Sequence, residues 1–153
     1  MFKSEKTKSP LKIKKNSIDD SIQRGSTRKL ILRIVNLLKN EKADEIVCID
    51  ANNKLSFTNY LIICQGRSQL HCRSIAQNIE YNLKQEGEIS LGCEGEREGN
   101  WVLLDYGEII LHIFHPEIRR YYNLEELYLK HLGGDYLKNV NLSNNQDSRK
   151  KNV

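Results

Sequence analysis

L-G-C-E-G-E-R-E-G-N-W-V-L-L-D-Y-G-E-I-I-L-H-I-F-H-P, residues Leu91 to Pro116, reads as a strand end, an acidic glycine-punctuated loop and a hairpin. Trp101 to Asp105 and Glu108 to Phe114 are apolar and β-prone, and Tyr106-Gly107 between them predicts a tight two-residue connection. The chain's only tryptophan therefore stands beside its densest acidic cluster, at one end of a hairpin.

Outward from the hairpin, helical and strand periodicities alternate. Ser26 or Thr27 predicts the cap of a helix carrying Leu30, Ile31, Ile34, Val35, Leu37 and Leu38 and ending near Lys42. Ile46–Asp50 and Tyr60–Cys64 are nearly unbroken apolar runs, as strands covered on both faces require, with a turn at Ala51–Lys54 between them. Ser68 predicts the N-cap of a second helix whose inner face holds Cys72, Ile75, Ala76, Ile79 and Leu83, with Gly87 as its stop. Ile89 to Cys93 predicts a weak strand. Pro116 suits the first turn of a short helix through Tyr122. Asn123 with Glu126 resembles a capping box opening a last helix to about His131, which Gly133-Gly134 stops. The order α-β-β-α-β-β-β-α-α predicts an α/β fold, a single mixed sheet with helices packed on it.

Composition narrows the function classes. The chain has 153 residues and a net charge of +4, but the charge is uneven. Residues 1–25 carry +4 and residues 139–153 carry +2, leaving −2 on residues 26–138. A basic nucleic-acid groove on the domain is therefore disfavoured, while the tails are open to loose attraction to RNA. The organisation expected is a disordered basic extension over 1–25, a domain over 26–138 and a polar tail over 139–153. No apolar run approaches the ~18 residues of a membrane span, so no membrane partner is expected. The first residues lack the apolar core of a secretory signal, which favours the cytoplasm, with an organelle such as a plastid as the minor alternative. Cys48, Cys64, Cys72 and Cys93 show no C-x-x-C spacing and read as free thiols in a reducing compartment; no metal and no cofactor are expected.

The chemistry-bearing residues are few. Glu94 and Glu96 share a face if the segment is extended, and could converge on a cation. Gly66-Arg67-Ser68 before a helix could cradle a phosphate. Together they sketch a nucleotidyl-transfer site, although each half is more often a solvated face or a plain cap. His112 alternates with Leu111 and Ile113 and reads as a satisfied structural histidine rather than a general base. Trp101, Leu103 and Asp105 point to one face of their strand, Val102, Leu104 and Tyr106 to the other. If the second set faces the core, Trp101 and Leu103 form an apolar patch rimmed by carboxylates, the kind of anchor protein interfaces use.

Several motifs, in order, resemble the ribosomal silencing factor family (RsfS, also called iojap or YbeB). They are A-D-E-I-V-C-I-D, F-T-N-Y-L-I-I-C-Q-G-R-S, I-A-Q-N-I-E, E-G-E-R-E-G-N-W-V-L-L-D-Y-G-E-I-I-L-H-I-F-H-P and R-R-Y-Y-N-L-E-E-L, spanning about residues 28–130. The resemblance implies a nucleotidyltransferase-like α/β fold without established catalysis. It implies a non-enzymatic repressor that binds the large ribosomal subunit through universal ribosomal protein L-fourteen, blocks small-subunit joining and lowers translation under nutrient limitation. A large-subunit assembly factor and a residual nucleotidyltransferase using Gly66, Ser68, Glu94 and Glu96 are the alternatives. The family's partner-binding stretch falls on Trp101, Leu104, Asp105 and Tyr106, with Glu94 and Glu96 beside it, whereas side-chain alternation favours Leu103 over Leu104. A homodimer of the free chain stays open. The chain departs from the family pattern in its longer N-terminal 25 residues, in about 20 residues after Leu132, and in having glutamates where the nucleotidyltransferase relatives carry paired aspartates.

Overall fold

The computed structural model describes residues 9–51 and 54–132. In chain order the elements are α1 (Ser9–Asn40), β1 (Asp44–Asp50), β2 (Tyr60–Gln65), α2 (Gln69–Gln85), β3 (Gly92–Glu94), β4 (Trp101–Asp105), β5 (Ile109–Phe114), α3 (Pro116–Tyr122) and α4 (Leu124–Leu132). This is the order the periodicities predict. The five strands form one mixed sheet, β1-β2-β5-β4-β3, in which only β2 and β5 run parallel.

Both sheet faces are covered. Ile62, Cys64, Val102, Leu104, Leu111 and Ile113 are fully buried beneath α2, whose own buried residues are the predicted Cys72, Ile75, Ala76, Ile79 and Leu83. On the other face Leu61, Ile63, Ile110 and Phe114 form a core with Leu124 and Leu132 of α4, flanked by Ile118 and Tyr128. Each such large side chain removed from water contributes roughly 1.5–3 kcal/mol. Arg119 ties α3 to the sheet: its Nε donates to Glu125 Oε1 at 2.6 Å, and Nη1 donates to the Glu45 carbonyl at 2.7 Å.

The chain divides within α1, between Arg33 and Ile34, into two units. The first is helical from Ser9, so neither Ser26 nor Thr27 begins the helix, and residues 9–25, expected to be disordered, are helical too. Gly25 explains the wrong boundary. A glycine followed by two capping residue types is a stop-and-start signal, yet inside a long helix it costs only about 1 kcal/mol. Pro10 stands in the first turn, where its missing N–H breaks nothing. In the second unit Ile34, Val35, Leu37 and Leu38 are buried, and the Glu41 carbonyl at the end of α1 meets the ring of His71 in α2 at 2.7 Å.

Three local expectations change. Ile89 and Leu91 are exposed and outside any strand, so β3 begins only at Gly92. The two-residue hairpin connection is Gly107-Glu108, one residue later than the motif suggests: Tyr106 N–H donates to the Ile109 carbonyl at 2.9 Å, closing the pair that brackets it. Gly107 at φ +78° takes the first central position, and the Glu108 N–H donates back to the Tyr106 carbonyl at 3.0 Å, a tight turn that a positive φ makes possible. Asn123 is the left-handed C-cap of α3, and its side-chain amide donates to the Glu126 carboxylate rather than forming a reciprocal capping box. Asn52-Asn53 of the first turn, the Gly133-Gly134 stop and the tail over 139–153 lie outside the described residues.

Candidate partner-binding site

β4 is central to the candidate site, and its neighbours settle which side chains meet. Its register opposes Glu94 to Leu103, Leu103 to His112, and Trp101 to Phe114. Residues opposed across antiparallel strands share a face, so Glu94, Trp101, Leu103, Asp105, His112 and Phe114 stand together. Trp101 and Leu103 are half-buried, packed at the margin of the core under α3 and α4. The indole stacks on Phe114 with ring centroids 4.8 Å apart and leans on Tyr122 at 4.9 Å. Tyr122 is in turn in edge contact with the exposed Tyr121. Trp101 is thus neither free nor enclosed: it is a clamped, partly exposed aromatic with Glu94 and Asp105 on its face of the sheet.

Leu104 and Tyr106 lie on the opposite face, which corrects their expected share in the contact surface. Leu104 is 0 % exposed under α2, so no partner reaches it. The Tyr106 hydroxyl is buried without a hydrogen bond among the described residues, and burial followed by the charges of Glu80 and Glu88 holds its proton on. Glu96 belongs to that side too: its Oε1 accepts from Gln77 of α2 at 2.8 Å, and its Oε2 accepts from the Cys93 thiol at 3.4 Å. Glu94 and Glu96 therefore do not converge. Gly95, at φ +77°, breaks the extended alternation between them, and only glycine fits there, since a Cβ would stand 2.0 Å from the Trp101 carbonyl oxygen.

The phosphate cradle is weakened for a similar reason, because two of its backbone donors and its serine oxygen are already engaged within the chain. Arg67 N–H donates to His71 Nδ1 at 2.9 Å, Ser68 Oγ accepts from His71 N–H at 3.0 Å, and Gly66 N–H donates to the Phe114 carbonyl at 3.0 Å. Arg67 itself pairs with Asp44. The thiols offer no nucleophile: burial pushes Cys48 up to about 12 and Cys64 and Cys72 upward, and burial with the neighbouring Glu96 and Glu80 pushes Cys93 to about 12. All four are free, as expected.

The sequence reading misses two contacts. His112 accepts the indole N–H of Trp101 at 3.0 Å on Nδ1 while its Nε2 has no partner among the described residues, so it is not the fully satisfied histidine expected. The acidic loop is bound to α2 by Gln69, Arg73 and Gln77, which meet Asn100 Oδ1 at 2.6 Å, the Arg97 carbonyl at 3.0 Å and Glu96 Oε1 at 2.8 Å. Those three residues recur every four positions on one helical stripe, a signal present in the sequence but indistinguishable there from an ordinary solvated face.

The arrangement is an α/β domain with a clamped, partly exposed aromatic between carboxylates, in which Glu94 and Glu96 stand on different faces. The model of the family described as "Ribosomal silencing factor during starvation" matches residues 24–153, and the chain belongs to this family of translation regulators. It is 30 % identical over 103 residues to a Halalkalibacterium halodurans protein named ribosomal silencing factor RsfS, covering 67 % of this chain and 88 % of that one. A mouse protein named "Mitochondrial assembly of ribosomal large subunit protein 1" is 29 % identical over 98 residues, covering 62 % of this chain and 43 % of that one. The fold matches a crystal structure from Chromobacterium violaceum with TM-score 0.64 and 28 % identity, covering 66 % of this chain and 84 % of that one.

Proposed function

We propose that this protein docks on the large ribosomal subunit through universal ribosomal protein L-fourteen, sterically blocks joining of the small subunit, and so represses translation when nutrients are short. The single observation that carries the docking surface is the Trp101–Leu103 patch between Glu94 and Asp105 on the open margin of the sheet. A carboxylate-rimmed aromatic suits a basic ribosomal protein, with the ring supplying buried area and the rim steering the encounter. The role is binding rather than catalysis, and its place is wherever ribosomes of bacterial type work.

Sedimentation of purified bacterial subunits, at a magnesium level that permits joining, tests this directly. The protein is expected to co-migrate with the large subunit while joined particles decline. Trp101→Ala should weaken that binding by at least about 30-fold, as loss of a central aromatic does. A protein that stays at the top of the gradient, with joining unchanged, ends the proposal.

A second reading, assembly of the large subunit, is favoured by the name of the mouse relative. It uses the same docking surface. It differs in that cells lacking the protein would accumulate incomplete large subunits, while finished subunits would join normally in its presence.

A further inference from the structure

Trp101 is the chain's single tryptophan, and its one polar atom is turned away from the solvent side. The indole Nε1–H donates to His112 Nδ1 at 3.0 Å, a diagonal reach across the β4–β5 pair, while the ring is held by Phe114 and Tyr122. A tryptophan at an interface ordinarily offers both a large apolar ring and a donor. Here the donor is spent before any partner arrives.

The bond also fixes the histidine. Nδ1 accepts, so the proton of the neutral ring sits on Nε2. That Nε2–H belongs to a side chain 4 % exposed and has no hydrogen-bond partner among the described residues. A buried donor left unpaired costs stability, and a leucine at the same place would carry no such cost. Burial holds the imidazole down to about 4, which keeps it neutral and accepting at the pH of a cell. A costly histidine whose one bond aims the candidate anchor is accounted for by positioning better than by packing.

Resting on the reading of Trp101 as the docking anchor, we propose that His112 is its positioning residue. It draws the indole N–H inward and locks the ring, so that the ribosomal partner reads only the ring's apolar edge and face. The matching surface on the partner is then apolar or cationic and brings no acceptor to the indole nitrogen.

The test uses the full chain, purified bacterial large ribosomal subunits as the probe, and the fluorescence of the lone tryptophan. His112→Leu is expected to melt at or above the wild-type temperature, to shift the tryptophan emission and lower its anisotropy, and to bind about tenfold more weakly. His112→Asn, whose side-chain oxygen stands near the place of Nδ1, should restore emission and affinity. Trp101→Phe keeps a ring without the donor and so loses the same lock: it should bind about tenfold more weakly, like His112→Leu and well above Trp101→Ala in affinity, and adding His112→Leu to it should cost nothing further. If His112→Leu fails to fold, the comparison of His112→Asn with His112→Gln replaces it, because Gln does not place an acceptor at Nδ1.

Unchanged emission and affinity in His112→Leu overturn the positioning role. An undiminished His112→Leu effect in the Trp101→Phe background makes His112 merely structural. Trp101→Phe as weak as Trp101→Ala means that the partner does take the indole N–H. If Trp101→Ala itself binds like wild type, the docking reading fails, and this proposal with it.

Discussion

A buried imidazole has a proton affinity that differs between folded and unfolded chain, and that difference is measurable as stability. Burial holds His112 at about 4 in the fold, against about 6.5 in the unfolded chain. Between those values the unfolded state binds a proton that the folded state refuses, so stability falls as pH drops from about 6.5 to about 4 and is unaffected above that window. The full effect is on the order of 3 kcal/mol. Urea midpoints of wild type and His112→Leu at pH 7.5 and pH 4.5 isolate it, because the carboxylates titrate in both proteins alike. Wild type should lose about 2–3 kcal/mol more than the variant across that interval, whereas parallel pH profiles would mean the imidazole titrates freely. Side-chain alternation was enough to group Trp101 with Leu103 and Asp105, and Leu104 with Tyr106. It does not say that both faces are covered, so it leaves Trp101 between exposed and packed. The bond to His112 needs the hairpin register as well. A connection at Tyr106-Gly107 would set His112 directly opposite Trp101, while the actual one at Gly107-Glu108 sets it opposite Leu103. The slip is of two residues, so faces are preserved and only the neighbours change.

At the scale of elements, the loop between β3 and β4 matters most, because it delivers Trp101. Its ends are drawn together by Gly99 N–H donating to the Gly95 carbonyl at 3.0 Å, and its outer side rests on Gln69, Arg73 and Gln77 of α2. Gly99 sits at φ +75°, and a Cβ there would lie 2.4 Å from the Gln69 carbonyl oxygen, a backbone atom that cannot swing aside. Gly99→Ala should therefore destabilise by about 1–3 kcal/mol, combining left-handed strain with the lost fit on α2. Hydrogen exchange should show the loss concentrated in residues 95–100 and the start of β4, and ribosome binding should weaken with it. A variant with native exchange in that loop would refute the close packing on α2. The order of elements was legible because long apolar stripes have strong periods, as in α2, β2 and β5. The loop was not, since its conformation depends on two glycines whose φ values have no periodic signature. That is also why Glu94 and Glu96 read as a pair when they are on opposite faces.

For the whole molecule, charge decides what kind of surface the docking face can meet. Residues 26–138 carry a net −2 while the segments before and after carry +4 and +2, so charge disfavours RNA as the partner of the Trp101 face. Composition made this division visible without a fold, but it could not place Glu94 on the Trp101 face, which required the pairing of Glu94 with Leu103. That placement gives the proposal a test of sign. Glu94 is exposed, so reversing it should change the encounter without disturbing the core. If the face meets a basic protein, Glu94→Lys should slow association with large subunits several-fold at about 50 mM salt. Raising the salt to about 300 mM should shrink the difference, as screening shortens the reach of the rim charge. The dissociation rate should move less, because rim charges act mainly on approach. If instead Glu94→Lys speeds association, the face approaches ribosomal RNA rather than a basic protein. The assignment to a ribosomal protein would then fall, even if the chain still binds the subunit.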